Sequence, residues 1–347
     1  MKVLRRYVSR VVSHTILLAL FLIVGLDVVS AIIDQLDKLR GNYDFWQALL
    51  YVLITIPGRV NEYIPLAVLV GCLAGMGLLA SSSEIIVMRV AGVSLGRLML
   101  WSVRPVVVIA IVSLFISEYI SPITDGWAKT HKDIQLWGEA QSRVSSGGLW
   151  HKEDQNYMHF NVVQPKGVLL GLTFFTFNEN HELELIRSAR RASYVNERWL
   201  LEDVIETRLV NKIIHSIEKK TLYWQTNITP RSLKFLASEP TEMPPTELYR
   251  YGSYLESNNV DNTPYRLAFW QKALQPLAIL SLLIIALSFV FGPLRATTIG
   301  FRVFVGVVVG IAFQFAQNLL GPASLIYGFN PLFAVCIPIA LCISIGA

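Results

Sequence analysis

Six apolar segments separate the chain into two halves around a long polar middle. They are residues 15–33, 63–80, 98–117, 273–291, 301–320 and 329–346. A helix needs about 20 mostly apolar residues to cross a bilayer, and these segments are close to that length. The second segment can start earlier, because residues 45–56 are also apolar, and we expect Pro57 and Pro65 to kink or break that helix. The pattern predicts a bundle of six transmembrane helices, three before the middle segment and three after it.

The middle segment has the pattern of an antiparallel β domain. Strands are predicted at residues 156–163, 169–178, 182–195, 199–210 and 212–228, with turn residues such as Pro165-Lys166-Gly167 between them. This spacing favours an all-β sandwich or jelly roll. Beyond residue 230, a polar stretch and a short amphipathic helix lead back to the membrane near Trp270. The predicted domains are residues 1–118, 119–272 and 273–347.

The composition supports a membrane class, because 53% of the residues are hydrophobic and only 16% are charged, against roughly 25% charged in soluble domains. Basic residues collect in short loops that face the cytoplasm. With a cytoplasmic N-terminus, the inner loops carry nine basic residues and one acidic residue, Glu84. The nine are Lys2, Arg5, Arg6, Arg10, Arg89, Arg97, Arg104, Arg295 and Arg302. The net charge of +5 therefore indicates topology rather than nucleic-acid binding, and residues 119–272 are predicted to lie outside.

Three further features bear on the processing of the chain and on its possible chemistry. The basic start and first apolar segment resemble a signal peptide, but five further predicted spans favour an uncleaved helix. The sequence contains no phosphate-binding loop and no hydrolase or zinc-protease motif. Cys72, Cys336 and Cys342 lie in apolar segments without metal-ligand spacing. We therefore predict no catalytic residue, metal or cofactor in this chain.

The loop between the second and third spans is predicted to contain a short helix, within about residues 81–97. Three serines precede Glu84, one of them suited to cap the helix, and Gly92 is suited to end it. A mostly apolar run lies between those ends, formed by Ile85, Ile86, Val87, Met88 and Val90. Such a helix either lies flat in the headgroup layer or docks in a groove on a cytoplasmic partner.

Three charged residues are candidates for lipid contact. Asp27 lies deep in the first span, where a charge is costly and usually faces protein or water. The alternatives are that it is protonated or lies near enough to the interface to be solvated. Lys129 and Lys132 are three residues apart, hence on one helical face, and two ammonium groups can bind phosphate. A solvated surface explains the lysines equally simply.

Several motifs together resemble the lipopolysaccharide export permease family, LptF/LptG, and are nearer to its LptG branch. They are Ile33-Asp34-Gln35-Leu36, Ser83-Glu84-Ile85-Ile86-Val87-Met88 with Ala91-Gly92, Ser288-Phe289-Val290-Phe291-Gly292-Pro293-Leu294-Arg295, Gly321-Pro322 and Tyr327-Gly328. The similarity runs nearly end to end. One departure is that LptG-type sequences carry a basic residue in the outer half of span one, where this chain has Ser30, Ala31 and Asp27.

The resemblance implies a permease subunit of an ABC-type exporter in the bacterial inner membrane, with residues 119–272 in the periplasm. Its implied partners are an LptF-like permease subunit, a dimeric LptB-like cytoplasmic ATPase that binds the ATP, and a single-span LptC-like jelly-roll protein. The implied substrate is lipopolysaccharide. The implied coupling helix includes Glu84, Ile85, Val87, Met88 and Gly92, and the implied lipid-contact residues are Lys129 and Lys132.

Two functions from other classes remain as alternatives. A membrane-anchored periplasmic enzyme predicts a catalytic constellation in residues 119–272, and the sequence offers none. A scaffold that tethers an envelope complex predicts no dependence on an ATPase and no lipid cavity. Co-purification with a cytoplasmic ATPase distinguishes the scaffold from the exporter.

Overall fold

The computed structural model describes several separate stretches of the chain, to which all structural statements below apply. They are residues 2–137, 149–153, 155–164, 168–178, 182–195, 198–210, 213–226, 240–257, 261–291 and 298–346. The chain divides into two compact units. The helical unit comprises Met1–Lys129, Pro244–Arg250 and Thr263–Ala347, and the β unit comprises Thr130–Met243 and Tyr251–Asn262.

Helices lie on both sides of the strands in the sequence. Those before the strands are α1 Lys2–Leu36, α2 Phe45–Ile54, α3 Ile56–Ser81, α4 Glu84–Val90, α5 Leu95–Phe115 and α6 Ser121–Trp137. Those after the strands are α7 Pro245–Ser257, α8 Thr263–Ala273, α9 Gln275–Phe291, α10 Ile299–Tyr327 and α11 Pro331–Gly346. Two helices, α7 and α8, therefore stand where the sequence predicted one short helix.

Four described helical segments are long and apolar enough to cross a membrane, namely α1, α3, α10 and the continuous helix Leu95–Leu136. Helices α8 and α9 qualify only as a pair, which is bent by 49°. Helix α11 is apolar but has 16 residues, about 24 Å at 1.5 Å per residue, whereas a hydrocarbon core is roughly 30 Å thick. The prediction of six spans therefore stays a prediction.

Helix α3 begins before residue 63, as the additional apolar run at residues 45–56 allowed. It starts at Ile56, with Pro57 in the first turn, where the missing N–H costs no hydrogen bond. Thr55 interrupts the helical conformation between α2 and α3, and α3 then continues without interruption through Pro65. The expected break therefore lies just before Pro57, whereas the helix is not broken at Pro65; a kink at Pro65 stays a prediction.

Helix α3 is also the centre of the helical unit. In the most apolar 18-residue stretch of α3, 67% of the residues are buried, compared with 17% in that of α1 and 22% in that of α10. Leu69, Leu73 and Met76 are completely buried in it, and α1, α9 and α10 all pack against it. Helices α1 and α10 leave large apolar surfaces uncovered within the chain, as expected of helices that face lipid or another subunit.

A π-helical segment, Ile116–Ile120, joins α5 to α6. Such segments are rare and mark places where a helix departs from regular hydrogen bonding. Here the Glu118 carboxylate accepts hydrogen bonds from Thr246, from its backbone N–H at 3.2 Å and from its hydroxyl. The segment thereby holds the first turn of α7 within the helical unit.

The β unit contains one antiparallel sheet among the described residues. Its strands are β1 Leu149–Glu153, β2 Asn156–Gln164, β3 Val168–Phe177, β4 Leu183–Val195, β5 Arg198–Val210 and β6 Ile213–Trp224. They pair in sequence order from β1 to β6. The five predicted strands are confirmed, and β1 was missed because it is short and carries His151, Lys152 and Glu153 within five residues.

An aromatic core fills the inner face of the sheet. Trp224 on the edge strand β6 contacts Phe174 on β3, with ring centroids 4.9 Å apart, and also lies beside Trp199 and Phe160. Because β3 and β6 are not neighbours in the sheet, this contact requires the sheet to curl around its core. Main-chain irregularity in the middle of the sheet accompanies the curl.

One such irregularity lies at Gly171, which has a φ of +62°. In β3 the buried residues are Leu169, Leu172 and Phe174, so the spacing is three and then two. Glycine accepts this left-handed conformation without the strain that a Cβ would cause, and Asn161 covers the space that such a Cβ would need. The kink therefore lets β3 keep apolar residues inward on both sides of it.

An ion cluster around the buried carboxylate of Glu206 joins β4, β5 and β6. The Glu206 side chain is only 5% exposed and accepts hydrogen bonds from Lys219 Nζ at 2.7 Å and Arg187 Nε at 2.8 Å. The bond from Lys219, with that from Arg187, holds the pKa of Glu206 below its ordinary value of 4.5, although burial acts in the opposite direction. The carboxylate is therefore ionised and paired at neutral pH.

Candidate functional site

The short helix predicted at about residues 81–97 is present as α4. Gly92, at a φ of +86°, follows its end. The Gly92 N–H donates to the Arg89 carbonyl and the Val93 N–H donates to the Met88 carbonyl, each at 3.0 Å. This is the Schellman arrangement, and Val93 and Met88 are both buried, as its usual hydrophobic contact requires. The helix therefore ends as the sequence predicted.

The start of α4 differs from the prediction. Ser83 holds the N-cap position with a φ of +61°, and its side chain makes no capping hydrogen bond. The Ser81 and Ser82 hydroxyls donate instead to the Leu78 carbonyl, at 2.9 and 3.0 Å. The predicted serine cap is wrong, because these hydroxyls bond back to the end of α3.

Helix α4 has two apolar faces with different surroundings. Ile85 and Met88 are 7% and 5% exposed and belong to the core of the helical unit. Ile86, Val87 and Val90 point away from it and are 52%, 66% and 85% exposed. The inward pair fixes the helix to the end of α3, and the outward three residues form an apolar surface that the chain itself does not cover.

Glu84 lies at the start of this helix and is half-buried. Its Oε1 is 3.1 Å from the Ser82 hydroxyl, and Tyr7 of α1 lies close enough to interact with the carboxylate. Of the other predicted coupling residues, Val87 faces outward and Gly92 closes the helix. The geometry thus separates residues that hold α4 in place from residues that are offered to a partner.

Asp27 has two partners on α3. Arg59 Nη1 donates to its Oδ2 at 2.5 Å, and the Tyr63 hydroxyl donates to its Oδ1 at 2.8 Å. The two charged side chains are 20% and 22% exposed, and Arg59 Nε also bonds the Thr55 hydroxyl at 3.2 Å. Of the alternatives weighed from sequence, the geometry favours a charge that faces protein.

Sequence reasoning did not identify Arg59 as the partner of Asp27. The available signal was the four-residue spacing of Arg59 and Tyr63, which places both on one face of α3. It also missed a polar cluster between α3, α5 and α9. There Ser113 donates to the Asn61 side-chain carbonyl at 2.6 Å, and Gln275 Nε2 donates to the Asn61 backbone carbonyl at 2.8 Å.

Lys129 and Lys132 both lie on α6, so the spacing argument that places them on one helical face holds. Both are half-buried, and each already takes part in an interaction within the chain. Their assignment to lipid contact stays a prediction. The candidate residues thus occupy three places: α4, the α1–α3 contact and α6.

Long apolar helices on both sides of an inserted antiparallel sheet, with a short helix between two of them, define a multi-pass membrane protein. Comparison with known families agrees with this class. The family described as "Lipopolysaccharide export system permease LptF/LptG" matches residues 6–347. The chain belongs to this family of inner-membrane permeases.

The named relatives are LptG proteins. The chain is similar to "Lipopolysaccharide export system permease protein LptG" of Escherichia coli strain K12, with 32% identity over 342 residues, covering 97% of this chain and 95% of the relative. It is 29% identical over 338 residues to the protein of the same name from Haemophilus influenzae, covering 96% and 94%. Similarity of this extent covers both units and confirms the resemblance found in the motifs.

Proposed function

We propose that this chain is a permease subunit of an ABC-type exporter that extracts lipopolysaccharide from the inner membrane and passes it to a periplasmic β-jelly-roll bridge. The observation that carries the proposal is the outward apolar surface of α4, formed by Ile86, Val87 and Val90. Membership of the LptF/LptG family supports the substrate class. The proposed partners are an LptF-like subunit, a dimeric LptB-like ATPase and an LptC-like protein.

Helix α4 has the properties of a coupling helix. Its seven residues cannot span a bilayer, yet its outward surface is apolar. An apolar helix face is a common docking element for a groove on a partner. Because Ile85 and Met88 anchor α4 in the core, a force on the outward surface is passed directly to α3.

The exporter needs an energy source from outside this chain. Each acyl methylene exposed to water costs about 0.8 kcal/mol, so the removal of a lipid with several acyl chains from the bilayer is strongly unfavourable. We propose that the partner ATPase binds the ATP and that its closure moves α4. The uncovered apolar surfaces of α1 and α10 fit lateral lipid entry between this subunit and its permease partner.

The proposed topology follows from the basic residues in the loops. The N-terminus and α4 face the cytoplasm, and the β unit, with a jelly-roll-like fold, lies in the periplasm. Six crossings result if α8 and α9 form one bent span and α11 crosses with local thinning of the bilayer. Lys129 and Lys132 then lie on the outer side, where they contact the phosphorylated head of the lipid, and Asp27 lies in the outer half of α1.

The docking surface of α4 is tested by the double variant Val87→Asp/Val90→Asp. Two carboxylates buried without partners should lower ATPase co-purification by about tenfold or more, since one such charge costs about 2 kcal/mol or more. The measurement is the ATPase retained by the detergent-solubilised permease pair. Val3→Asp is the matched control, because Val3 is an equally exposed valine, 82% against 85% for Val90, in the first turn of α1.

Glu84→Ala provides a milder variant at the same site. Loss of a carboxylate that anchors the partner should cost about 1–3 kcal/mol and lower ATPase retention or uncouple hydrolysis from lipid release. Wild-type ATPase retention by both α4 variants would refute the coupling assignment. Absence of any ATPase from the wild-type complex would favour the scaffold function instead.

A further inference from the structure

The contact between α3 and α10 contains three positions where one helix provides a side chain and the other a glycine. On α10 the positions are Arg302, Gly306 and Gly310, which are four residues apart and all buried. Residues with this spacing lie on one face of a helix. The opposite residues on α3 run in the reverse order along the chain, so the two helices are antiparallel at this contact.

Two leucines of α3 fill the glycine positions of α10. A Cβ on Gly306 would lie 2.5 Å from Leu73 Cδ1, and a Cβ on Gly310 would collide with Leu66 Cδ1. No side chain larger than hydrogen fits at either glycine without displacing the leucine. These two positions therefore let the helices approach closely, with each leucine seated over a glycine.

At the third position the roles are reversed, because the side chain comes from α10 and the glycine from α3. Arg302 is 2% exposed, and its Nη1 donates to the Gly77 carbonyl at 2.9 Å. A Cβ on Gly77 would lie 2.8 Å from the same Nη1. Gly77 thus both accepts the hydrogen bond and leaves room for the guanidinium.

The arginine is costly unless it is held in this way. A charge buried among apolar helices is unfavourable without hydrogen bonds that replace its hydration. Movement of α10 away from α3 would strip the guanidinium of the Gly77 carbonyl and open the two leucine contacts. The Arg302 end of the α3–α10 contact therefore resists separation through a buried hydrogen bond as well as through packing.

That end is next to the coupling helix. Gly77 lies four residues before Ser81, where α3 ends, and α4 begins at Glu84 after a two-residue connection. Arg302 lies in the first turn of α10, which starts at Ile299. Any displacement of α4 acts on the end of α3 to which α10 is attached.

We infer that Arg302 is a positioning residue that fastens the start of α10 to α3, so that the two helices move as one body when α4 is displaced. The inference rests on the proposed function, in which a partner displaces α4. According to this inference, α10 moves together with α3 when α4 is displaced, although α10 and α4 are far apart in the sequence. In the exporter, the lipid-facing surface of α10 would then follow each ATP-driven step.

The first experiment measures lipid released per ATP hydrolysed by the full complex in nanodiscs. Gly77→Ala, which displaces the guanidinium, and Arg302→Met, which removes its charge at similar length, should each lower this ratio about fivefold or more while the ATPase stays bound. Arg302→Lys should lower this ratio less than Arg302→Met, because lysine keeps a hydrogen-bond donor. Gly300→Ala is the control, since a Cβ there meets nothing within 4 Å.

A further pair of variants separates packing from misfolding. Gly306→Ala should lower the ratio, and Gly306→Ala/Leu73→Ala should restore it, because the shortened leucine makes room for the new methyl group. A wild-type ratio in Gly77→Ala and Arg302→Met, or an equal loss in Gly300→Ala, would overturn the inference. If Gly77→Ala and Arg302→Met do not fold, Gly306→Ala and Gly306→Ala/Leu73→Ala decide. A wild-type ratio in Gly306→Ala would then overturn the inference.

The second experiment does not depend on an ATPase. Spin labels at Ser81 and Phe301, both exposed, on a background without native cysteines, report the distance between the ends of α3 and α10. We expect one narrow distance distribution in the wild type and a broad one in Gly77→Ala and Arg302→Met. Distance distributions of equal width in the wild type and the two variants would overturn the inference. If the wild-type permease binds no ATPase, that result would count only against the proposed function.

Discussion

Individual charged residues inside the helical unit are held by specific partners. Asp27 is paired with Arg59 and Tyr63, and Arg302 with the Gly77 carbonyl. In a membrane a lone charge of this kind is expensive, so its position is defined by the partner rather than by solvent. These pairs join α1 and α10 to α3 and explain how polar residues persist in apolar helices.

Lys129 and Lys132 carry the residue-scale prediction about lipid. Lys129→Glu/Lys132→Glu should reduce co-purifying lipopolysaccharide about tenfold or more, because two charge-assisted phosphate contacts are each worth about 1.5–3 kcal/mol. Lipid is measured by mass spectrometry of the purified complex, with ATPase retention recorded in parallel. ATPase retention should not change, since the lysines and α4 are on opposite sides of the membrane in the proposed topology.

The control for the lysine variant makes the same change in charge on the β unit. Arg191→Glu/Lys220→Glu alters two exposed residues of β4 and β6 and should keep lipid at the wild-type level. If the lysine variant retains as much lipopolysaccharide as the control and the wild type, the lysines form only a solvated face.

At the scale of elements, single glycines determine where α4 ends and where the buried side of β3 shifts. Gly92 closes α4 through two backbone hydrogen bonds, and Gly171 shifts the buried side of β3. Both glycines have a positive φ, which other residues adopt only with strain. The ion cluster at Glu206 adds side-chain links between β4, β5 and β6.

The Glu206 cluster predicts how the stability of the β unit depends on pH. The pKa of this carboxyl is lowered in the folded state, so its contribution is fully present above the unfolded pKa and is lost as pH falls through the folded pKa. Protection of the β4 and β5 amides from hydrogen exchange in the full chain should therefore fall below about pH 4.5 in the wild type.

Glu206→Gln should lower this protection already at pH 7, by about 1–3 kcal/mol, because two basic side chains lose an ionised acceptor. Its remaining decline with acid should be shallower than in the wild type. Asp203→Asn is the control: the Arg190–Asp203 pair is exposed and 3.9 Å apart, so the change should stay within about 0.5 kcal/mol. Equal protection in Glu206→Gln and the wild type at pH 7 would contradict the role of the cluster.

At the scale of the whole molecule, two units of different architecture alternate along one chain. The helical unit is formed by three sequence segments, and the inserted β unit by two. Each has its own hydrophobic core. Such an arrangement lets a single chain carry an apolar helical bundle and an inserted sheet, each with its own core.

The proposed topology predicts which parts are accessible from outside the cell membrane. In a background without native cysteines, a membrane-impermeant maleimide should label Ser216→Cys in intact spheroplasts and leave Ser82→Cys unlabelled. Both positions are exposed, so both should react after permeabilisation, which serves as the control. Labelling of both, or of neither, in intact spheroplasts would refute the topology.

The sequence alone determined the features that depend on local pattern. Apolar length marked α1, α3, α5, α9 and α10, and turn residues at regular spacing marked five of the strands, because both signals are local and can be recognised without knowing the partner. The end of α4 at Gly92 followed from the conformational freedom of glycine. The motifs that resemble LptF/LptG identified the family for the same reason, since they are contiguous in the chain.

The tertiary structure decided which surfaces meet. It showed that Ile85 and Met88 face the core whereas Val87 and Val90 do not, that Asp27 is paired with Arg59, and that the serines before α4 bond to α3 rather than capping it. These outcomes depend on residues far apart in sequence or on competition between neighbouring helices, and local periodicity contains neither. The pairing of Arg302 with Gly77, 225 positions apart, is determined only when α3 and α10 pack together.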